Sequence, residues 1–141
     1  MWQSTFETRL ARWHGLRQSC AHLTLEESLL TVNDWWMSTP WKPYYLHWDD
    51  LSKWPTPWQL LDDNIYCDLA RSLGIVYTLL MIDQTNALQI ELAETDVGNL
   101  VLIEQGKYIL NWEPGRLLNI SSAKITITKK LDSSRVMHLL G

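Results

Sequence analysis

The sequence predicts an α+β domain in which helices come first and an antiparallel sheet follows. Apolar residues recur at helical spacing in the first third of the chain, and a further helical stretch spans residues 65–80. After Asp83 the pattern changes to alternation with tight turns, which is typical of strands. The chain has 141 residues, 46% of them hydrophobic and 20% charged. These values suit one globular domain, so we expect residues 1–141 to form a single domain.

The first part of the chain, residues 1–37, is predicted to form a helical arm. The first helix has one apolar face, formed by residues three or four positions apart: Trp2, Phe6, Leu10, Trp13 and Leu16. A second helix is expected to begin at Thr24, because Glu27 completes a capping box with it. It should end before Pro40, since the residue that precedes a proline disfavours the helical conformation.

Residues 38–61 are predicted to form an ordered loop rich in tryptophan and proline. Four prolines exclude a long regular helix, and the absence of glycine argues against a flexible linker. The whole chain has nine Trp and only one Phe, and six of the Trp lie between Trp35 and Trp58. A buried indole N–H needs a hydrogen-bond partner, so this concentration indicates a specific role.

Residues 62–141 are predicted to form a helix followed by the sheet. Asp62, Asp63 and Asn64 offer an N-cap for a helix from Ile65 to about Leu80, which would carry a cysteine in its first turn. Short strands joined by tight turns should then form an antiparallel meander. The predicted strands are residues 88–92, 99–104, 107–112, 117–120, 123–129 and 135–140.

Charge and hydropathy exclude several classes of partner. Twelve basic and sixteen acidic residues give a net charge of −4, which argues against a nucleic acid bound through its phosphates. No apolar run approaches the roughly 20 residues that a membrane span needs, so we expect no membrane partner. The amino terminus lacks the basic region and apolar core of a signal peptide, so we expect no secretion by that route.

Cys67 is the sharpest candidate for chemistry in the sequence. A cysteine at a helix N-terminus can have its thiolate stabilised by free backbone N–H groups and the helix dipole. It acts as a nucleophile if a histidine base lies within hydrogen-bond reach and a third group orients that base. The alternative is a small buried hydrophobe, which is the usual role of a free cysteine.

Two short segments carry a resemblance to a known family. The run Trp54-Pro-Thr-Pro57, followed by Tyr66-Cys67-Asp68, resembles the transglutaminase-like cysteine-proteinase family. Gly106-Lys-Tyr-Ile-Leu-Asn111 is similar to the strand that ends in the family's Asp. The resemblance covers roughly residues 48–113 and implies a transglutaminase-like, or papain-like, core. It also implies a nucleophilic Cys67, a strand that carries a His, and an orienting group at Asn111.

The sequence departs from this family at the residues that matter for catalysis. Ile65 and Tyr66 precede the cysteine where the family usually has Gly-Asp, and the expected histidine strand, residues 86–93, contains no His. We therefore predict that the chain is not an enzyme. If it is active, Cys67 and Asn111 are the predicted catalytic residues, and His47 or His138 would have to approach the sulfur from elsewhere in the chain.

The sequence predicts neither a metal site nor a cofactor. Cys20 and His22 form an isolated pair, with no second pair at zinc-ligand spacing. The acidic pairs at residues 49–50 and 62–63 suit turns and helix caps better than ligation.

The tryptophans allow three interpretations: packing of the domain's own core, a protein–protein interface, or stacking on sugars. A 141-residue domain has limited room for nine buried indoles, each of about 150–250 Å². We therefore expect some of them to face a protein partner, because Trp and Arg are enriched in binding hot spots. The predicted interface residues are Trp13, Arg17, Trp35, Trp36, Trp41 and Trp48.

These observations predict a non-catalytic structural protein that docks with other protein subunits of a larger assembly. The sequence also resembles small proteins of contractile-tailed phages, which implies a tail or baseplate component in a virion or the host cytoplasm. The alternatives are a cysteine hydrolase or transferase of the transglutaminase-like type, and a carbohydrate-binding module.

Overall fold

A computed structural model describes residues 1–43 and 45–141, so Tyr44, one of the aromatic residues of the predicted loop, lies outside the described residues. Within the described part, four α-helices precede a five-stranded sheet. The helices are α1 (Phe6–Ser19), α2 (Leu25–Met37), α3 (Pro57–Asp63) and α4 (Asp68–Leu80). The strands are β1 (Ile90–Thr95), β2 (Gly98–Ile103), β3 (Tyr108–Glu113), β4 (Arg116–Leu118) and β5 (Ile127–Asp132). The predicted α+β fold class is confirmed.

Local sequence signals set most helix boundaries. The predicted capping box forms at the start of α2, where the Thr24 hydroxyl accepts the Glu27 N–H at 3.2 Å and the Glu27 carboxylate accepts the Thr24 N–H at 3.0 Å. At α1 the cap is Thr5, whose side chain accepts the N–H of Thr8.

Helix α3 corrects the prediction that residues 38–61 form only a loop. Thr56 and Gln59 make a second capping box, and Pro57 occupies the first helical position, where its missing N–H costs nothing. Asn64 ends this helix in the left-handed conformation, with φ of 54°. Helix α4 therefore begins at Asp68 and not at Ile65, and Cys67 is its N-cap residue.

The sheet has the order β4-β3-β2-β1-β5, with antiparallel neighbours throughout. The predicted meander is correct for β1 to β4, but β5 returns across the sheet to pair with β1. The predicted last strand at residues 135–140 is wrong. That segment forms 3₁₀ turns instead. The Asp132 carboxylate accepts the N–H of Ser134 and so caps the first of these turns.

One face of the sheet packs against α2 and α4, and this layer holds the main core. Trp13 and Trp36 are completely buried there, and both indoles donate to the Thr78 hydroxyl, at 2.9 and 2.8 Å. These two residues therefore cannot form the predicted interface. Gly74 allows the close approach of α2, because a Cβ at this position would overlap the Trp36 ring. A smaller apolar cluster covers the other face of the sheet: Ala93, Leu100, Leu102, Ile109 and Leu118.

In the part of the chain that the structure describes, no helix combines the length and the apolar character needed to cross a membrane.

Candidate active site

The candidate active site is built at the start of α4. Cys67 is the residue before the first helical turn and has extended backbone, with φ of −94° and ψ of −179°. Its carbonyl oxygen accepts the N–H of Arg71 at 3.0 Å, which is the first bond of the helix. The side chain is only 3% exposed. The sulfur thus lies at the end of α4 where backbone N–H groups have no helical partner.

A segment of the tryptophan-rich loop covers the sulfur. The backbone N–H of Leu46 donates to the Cys67 Sγ at 3.4 Å. His47 follows directly, so its Cα lies about 3.8 Å from that of Leu46. Its carbonyl oxygen accepts the Trp54 indole N–H at 2.8 Å, which fixes the backbone of the loop. The imidazole is exposed and has no hydrogen bond to any described residue.

A network of polar side chains fastens the start of α4 to the sheet. The Asp68 carboxylate accepts two hydrogen bonds from Asn99, one from the backbone N–H at 2.6 Å and one from the side-chain amide at 3.1 Å. The two N–H groups of the Asn111 amide are shared among three oxygens: the Asp68 carbonyl at 2.8 Å, the Ser72 hydroxyl at 2.9 Å and the Asn99 carbonyl at 2.9 Å. The Trp48 indole completes the network with a 2.6 Å bond to the Asn99 Oδ1.

Asn111 reaches this position through a distorted stretch of backbone. Its φ is 68°, in the left-handed region that Asn tolerates better than most residues. The pairing of β3 with β4 shifts its register at this point, as in a β-bulge. The backbone N–H of Asn111 donates to the Asn33 Oδ1 at 2.7 Å, so α2 also helps to hold the bulge.

An open cavity of about 830 Å³ adjoins the loop segment that contacts the sulfur, and Cys67 itself is not among the residues that line it. Leu46 links the two features, because it lines the cavity and contacts Cys67. The wall carries four carboxylates and one ammonium group, together with an imidazole, and is therefore acidic. These charged and titratable residues are His47, Asp49, Asp50, Lys53, Asp62 and Asp63.

Two further groups lie next to the start of α4. Trp41 is 55% exposed and pairs with Tyr66 in a short parallel bridge. The Arg71 guanidinium lies 5.0 Å from the centre of the Trp41 ring and donates to the Thr39 carbonyl at 2.6 Å. Burial lowers the pKa of Arg71, whereas the negative charges of Asp68 and Cys67 raise it. The cation therefore lies within electrostatic range of a Cys67 thiolate.

Tyr45, on the cavity wall, keeps its proton at ordinary pH. Burial raises the pKa of its hydroxyl far above the usual value, and its hydrogen bond to Asp63 raises it further. The hydroxyl is therefore a permanent donor that holds the Asp63 carboxylate in place.

The predicted site residues divide into those at this site and those outside it. Cys67 and Asn111 are brought to the same end of α4, joined through Asp68. His138 lies in the exposed carboxyl-terminal 3₁₀ turn, with no hydrogen bond to the sulfur among the described residues. Of the predicted interface residues outside the core, Arg17, Trp35 and Trp48 are half-buried and Trp41 is exposed.

The sequence did not identify Asn99, Asp68 and Ser72 as site residues, because only Cys67 and Asn111 were predicted there and a base was sought among the histidines. The strand that contacts the start of α4 is β2, and Asn99 is its second residue. The Asp96-Val97-Gly98 turn was the available signal, since it marks where β2 begins. Across the described residues, no group of three or more His, Cys, Asp or Glu side chains could hold a metal ion.

Comparisons with known proteins identify this architecture. Neither the models of known protein families nor the curated proteins give a match. Among solved structures, the chain is similar to calcium-bound LapG of Legionella pneumophila, a transglutaminase-like cysteine protease. The TM-score is 0.70 at 14% identity, over 91% of this chain and 76% of LapG. The chain has the transglutaminase-like fold.

This neighbour overturns the prediction that the chain is not an enzyme, because a protein of the same fold is a protease. That prediction relied on the absence of a His from residues 86–93, which map to β1 and the segment before it. The residues that meet the start of α4 come instead from β2, β3 and the loop around Leu46. The absence of a His from one strand therefore does not establish that the site is inactive.

Proposed function

We propose that the chain is a cysteine hydrolase or acyltransferase, with Cys67 as the nucleophile and His47 as its base. One observation carries the proposal. The Cys67 sulfur lies between the N-terminus of a 13-residue helix and the Leu46 N–H, and the next residue along the loop is a histidine. Thiol acyl transfer uses a sulfur nucleophile, backbone N–H donors and an imidazole base, and in this proposal the exposed His47 ring turns toward the sulfur to act as that base.

The reaction would proceed in two steps. The Cys67 thiol gives its proton to the His47 imidazole as the sulfur attacks the acyl carbonyl carbon. The bond to the leaving group breaks, the imidazolium returns the proton to that group, and a thioester forms on the sulfur. In the second step the imidazole deprotonates a water molecule or an amine, which attacks the thioester carbonyl. The carbon–sulfur bond breaks, and the imidazolium returns the proton to the departing sulfur, which restores the Cys67 thiol and the neutral imidazole.

The backbone N–H groups around the sulfur favour the charge that develops in this reaction. The negative carbonyl oxygen of the tetrahedral intermediate would lie near the free N–H groups that begin α4. The Asp68–Asn99–Asn111 network holds this helix end in a fixed orientation. Fixed donors need no reorganisation as charge develops, which is the main requirement for such stabilisation.

The cavity that Leu46 and His47 line indicates the kind of substrate. Its wall carries an excess of carboxylates, so a basic segment of a substrate is favoured there over an acidic one. Trp41 offers an exposed ring, anchored to the residue before the nucleophile, on which a substrate side chain can rest.

The test uses p-nitrophenyl acetate, a small activated ester that needs no specific recognition. We expect a burst of p-nitrophenol and one acetyl group on Cys67, located by mass spectrometry. C67S should abolish the acetylation, and H47Q should lower its rate by about 100-fold or more, as for loss of a general base. L46A keeps the backbone N–H that donates to the Cys67 Sγ, so it should be acetylated like the wild type.

Matched controls separate these effects from general reactivity. C20S removes the other free cysteine, which is completely buried, and H138Q removes an exposed imidazole from the other candidate position. Both variants should react like the wild type. Acetylation at Cys20 instead of Cys67, or the absence of an adduct in both the wild type and L46A, would refute Cys67 as nucleophile. An H47Q rate equal to that of H138Q would refute His47 as base.

The other functions predicted from the sequence stay predictions. These are docking with other protein subunits, a place in a phage tail or baseplate, residence in a virion or host cytoplasm, and carbohydrate binding. For a protein interface, Trp41 is the predicted residue with the largest exposed fraction, 55%.

A further inference from the structure

A second cavity, of about 460 Å³, lies between the end of α1 and the turn that follows α4. Its volume falls within the range of about 300–1,000 Å³ that is typical of small-molecule sites. His14, Arg17 and Gln18 line one wall from the last turns of α1, where His14 lies three and four positions before the other two, and Ala21 adds to this wall from the 3₁₀ turn that follows. The opposite wall is residues 81–84.

The Arg17 guanidinium is held in this cavity without a partner for its charge. It lies 4.2 Å from the centre of the Trp13 ring, which is itself completely buried. Its Nε is buried and donates to no described residue, and no described carboxylate lies within salt-bridge distance. A buried charged donor without an acceptor costs free energy, and an anion bound beside the guanidinium offsets part of that cost.

The geometry of this group selects the ligand. Stacking on the indole occupies one face of the guanidinium. The two terminal nitrogens donate to no described residue and are not buried as Nε is, and their N–H groups match the two oxygens of a carboxylate. Gln18 and His14 can add further hydrogen bonds from the same wall. Asp83 lines the same cavity, so its negative charge disfavours a ligand with more than one negative charge.

We propose that this cavity binds a small monocarboxylate, with the Arg17 guanidinium as the group that recognises it. The site is separate from the candidate active site and does not depend on Cys67. It also gives a role to the only member of the predicted interface set that carries a charge.

The proposal is tested by NMR on the ¹⁵N-labelled protein, with acetate as the probe and chloride at equal ionic strength as the reference. We expect a saturable shift of the Arg17 Nε–H resonance and of the Gln18 and Asp83 amides with acetate. Phosphate should bind more weakly than acetate in the wild type, and D83N should reduce that difference. C67S should bind acetate as the wild type does.

R17K keeps the positive charge but loses the planar fork, so acetate affinity, followed by the Gln18 amide, should fall by about tenfold or more. R12K, which changes an arginine of α1 outside the cavity, is the matched control and should bind normally. If R17K fails to fold, the wild-type titration with acetate and chloride still tests the proposal. A shift that does not saturate, one that chloride reproduces, or equal affinity in R17K and R12K would overturn the proposal.

Discussion

Thr78 shows how a single hydroxyl can hold a core built from tryptophan. Its oxygen accepts the indole N–H groups of Trp13 and Trp36 and donates to the carbonyl of Gly74 at 2.7 Å. Burial of an indole costs free energy unless its N–H has a hydrogen-bond acceptor. The Thr78 hydroxyl on α4 is that acceptor for both Trp13 of α1 and Trp36 of α2.

Replacement of this hydroxyl should destabilise the protein strongly. In T78V two buried indole N–H groups lose their acceptor, and we expect the free energy of unfolding to fall by about 2–5 kcal/mol. T78S keeps the oxygen and should lose much less. Urea denaturation followed by tryptophan fluorescence measures both variants. A T78V protein as stable as T78S would show that the shared acceptor is unimportant.

At the scale of the secondary-structure element, α4 is fixed by polar contacts at its start and by apolar contacts along its length. Asn111 is the centre of the polar set, because its amide reaches the helix and the neighbouring strand at once. The bulge in β3 gives Asn111 the left-handed backbone that accompanies these bonds. A distortion of the sheet therefore determines how the helix end that carries Cys67 is held.

Variants at Asn111 separate the side-chain bonds from the backbone conformation. N111G removes the amide but suits a positive φ, and we expect a loss of about 1–3 kcal/mol from unpaired buried oxygens. N111A should lose about 1 kcal/mol more, because alanine disfavours the left-handed region. The amide of Arg71 should also exchange its hydrogen faster in both. N119A, at an exposed turn, is the control, and equal stability of all three variants would contradict this assignment.

At the scale of the whole molecule, helices and sheet share one core. Trp13 from α1, Leu29 from α2, Leu73 from α4 and Val101 from β2 all belong to the same buried cluster. A structure in which each layer covers the apolar face of the other is expected to unfold cooperatively.

This shared core predicts that the helical arm does not unfold by itself. Unfolding in urea should give one transition, with the same midpoint by far-ultraviolet circular dichroism and by near-ultraviolet tryptophan signals. Two separated transitions, or an arm lost before the sheet, would mean that the predicted single domain is instead two folding units.

The sequence alone determined the features that depend on neighbours along the chain. The α2 capping box, the alternation of β1 and the fold class follow from local hydrogen bonds and from periodicity, which the residue order fixes directly. Tertiary structure alone decided which groups meet across long separations. It buried Trp13 and Trp36, placed the Leu46 N–H on the Cys67 sulfur, brought Asn99 and Asn111 to the start of α4, and left Arg17 without a salt bridge to any described carboxylate. Such meetings depend on the angles and register at which elements pack, and no spacing in the sequence encodes them.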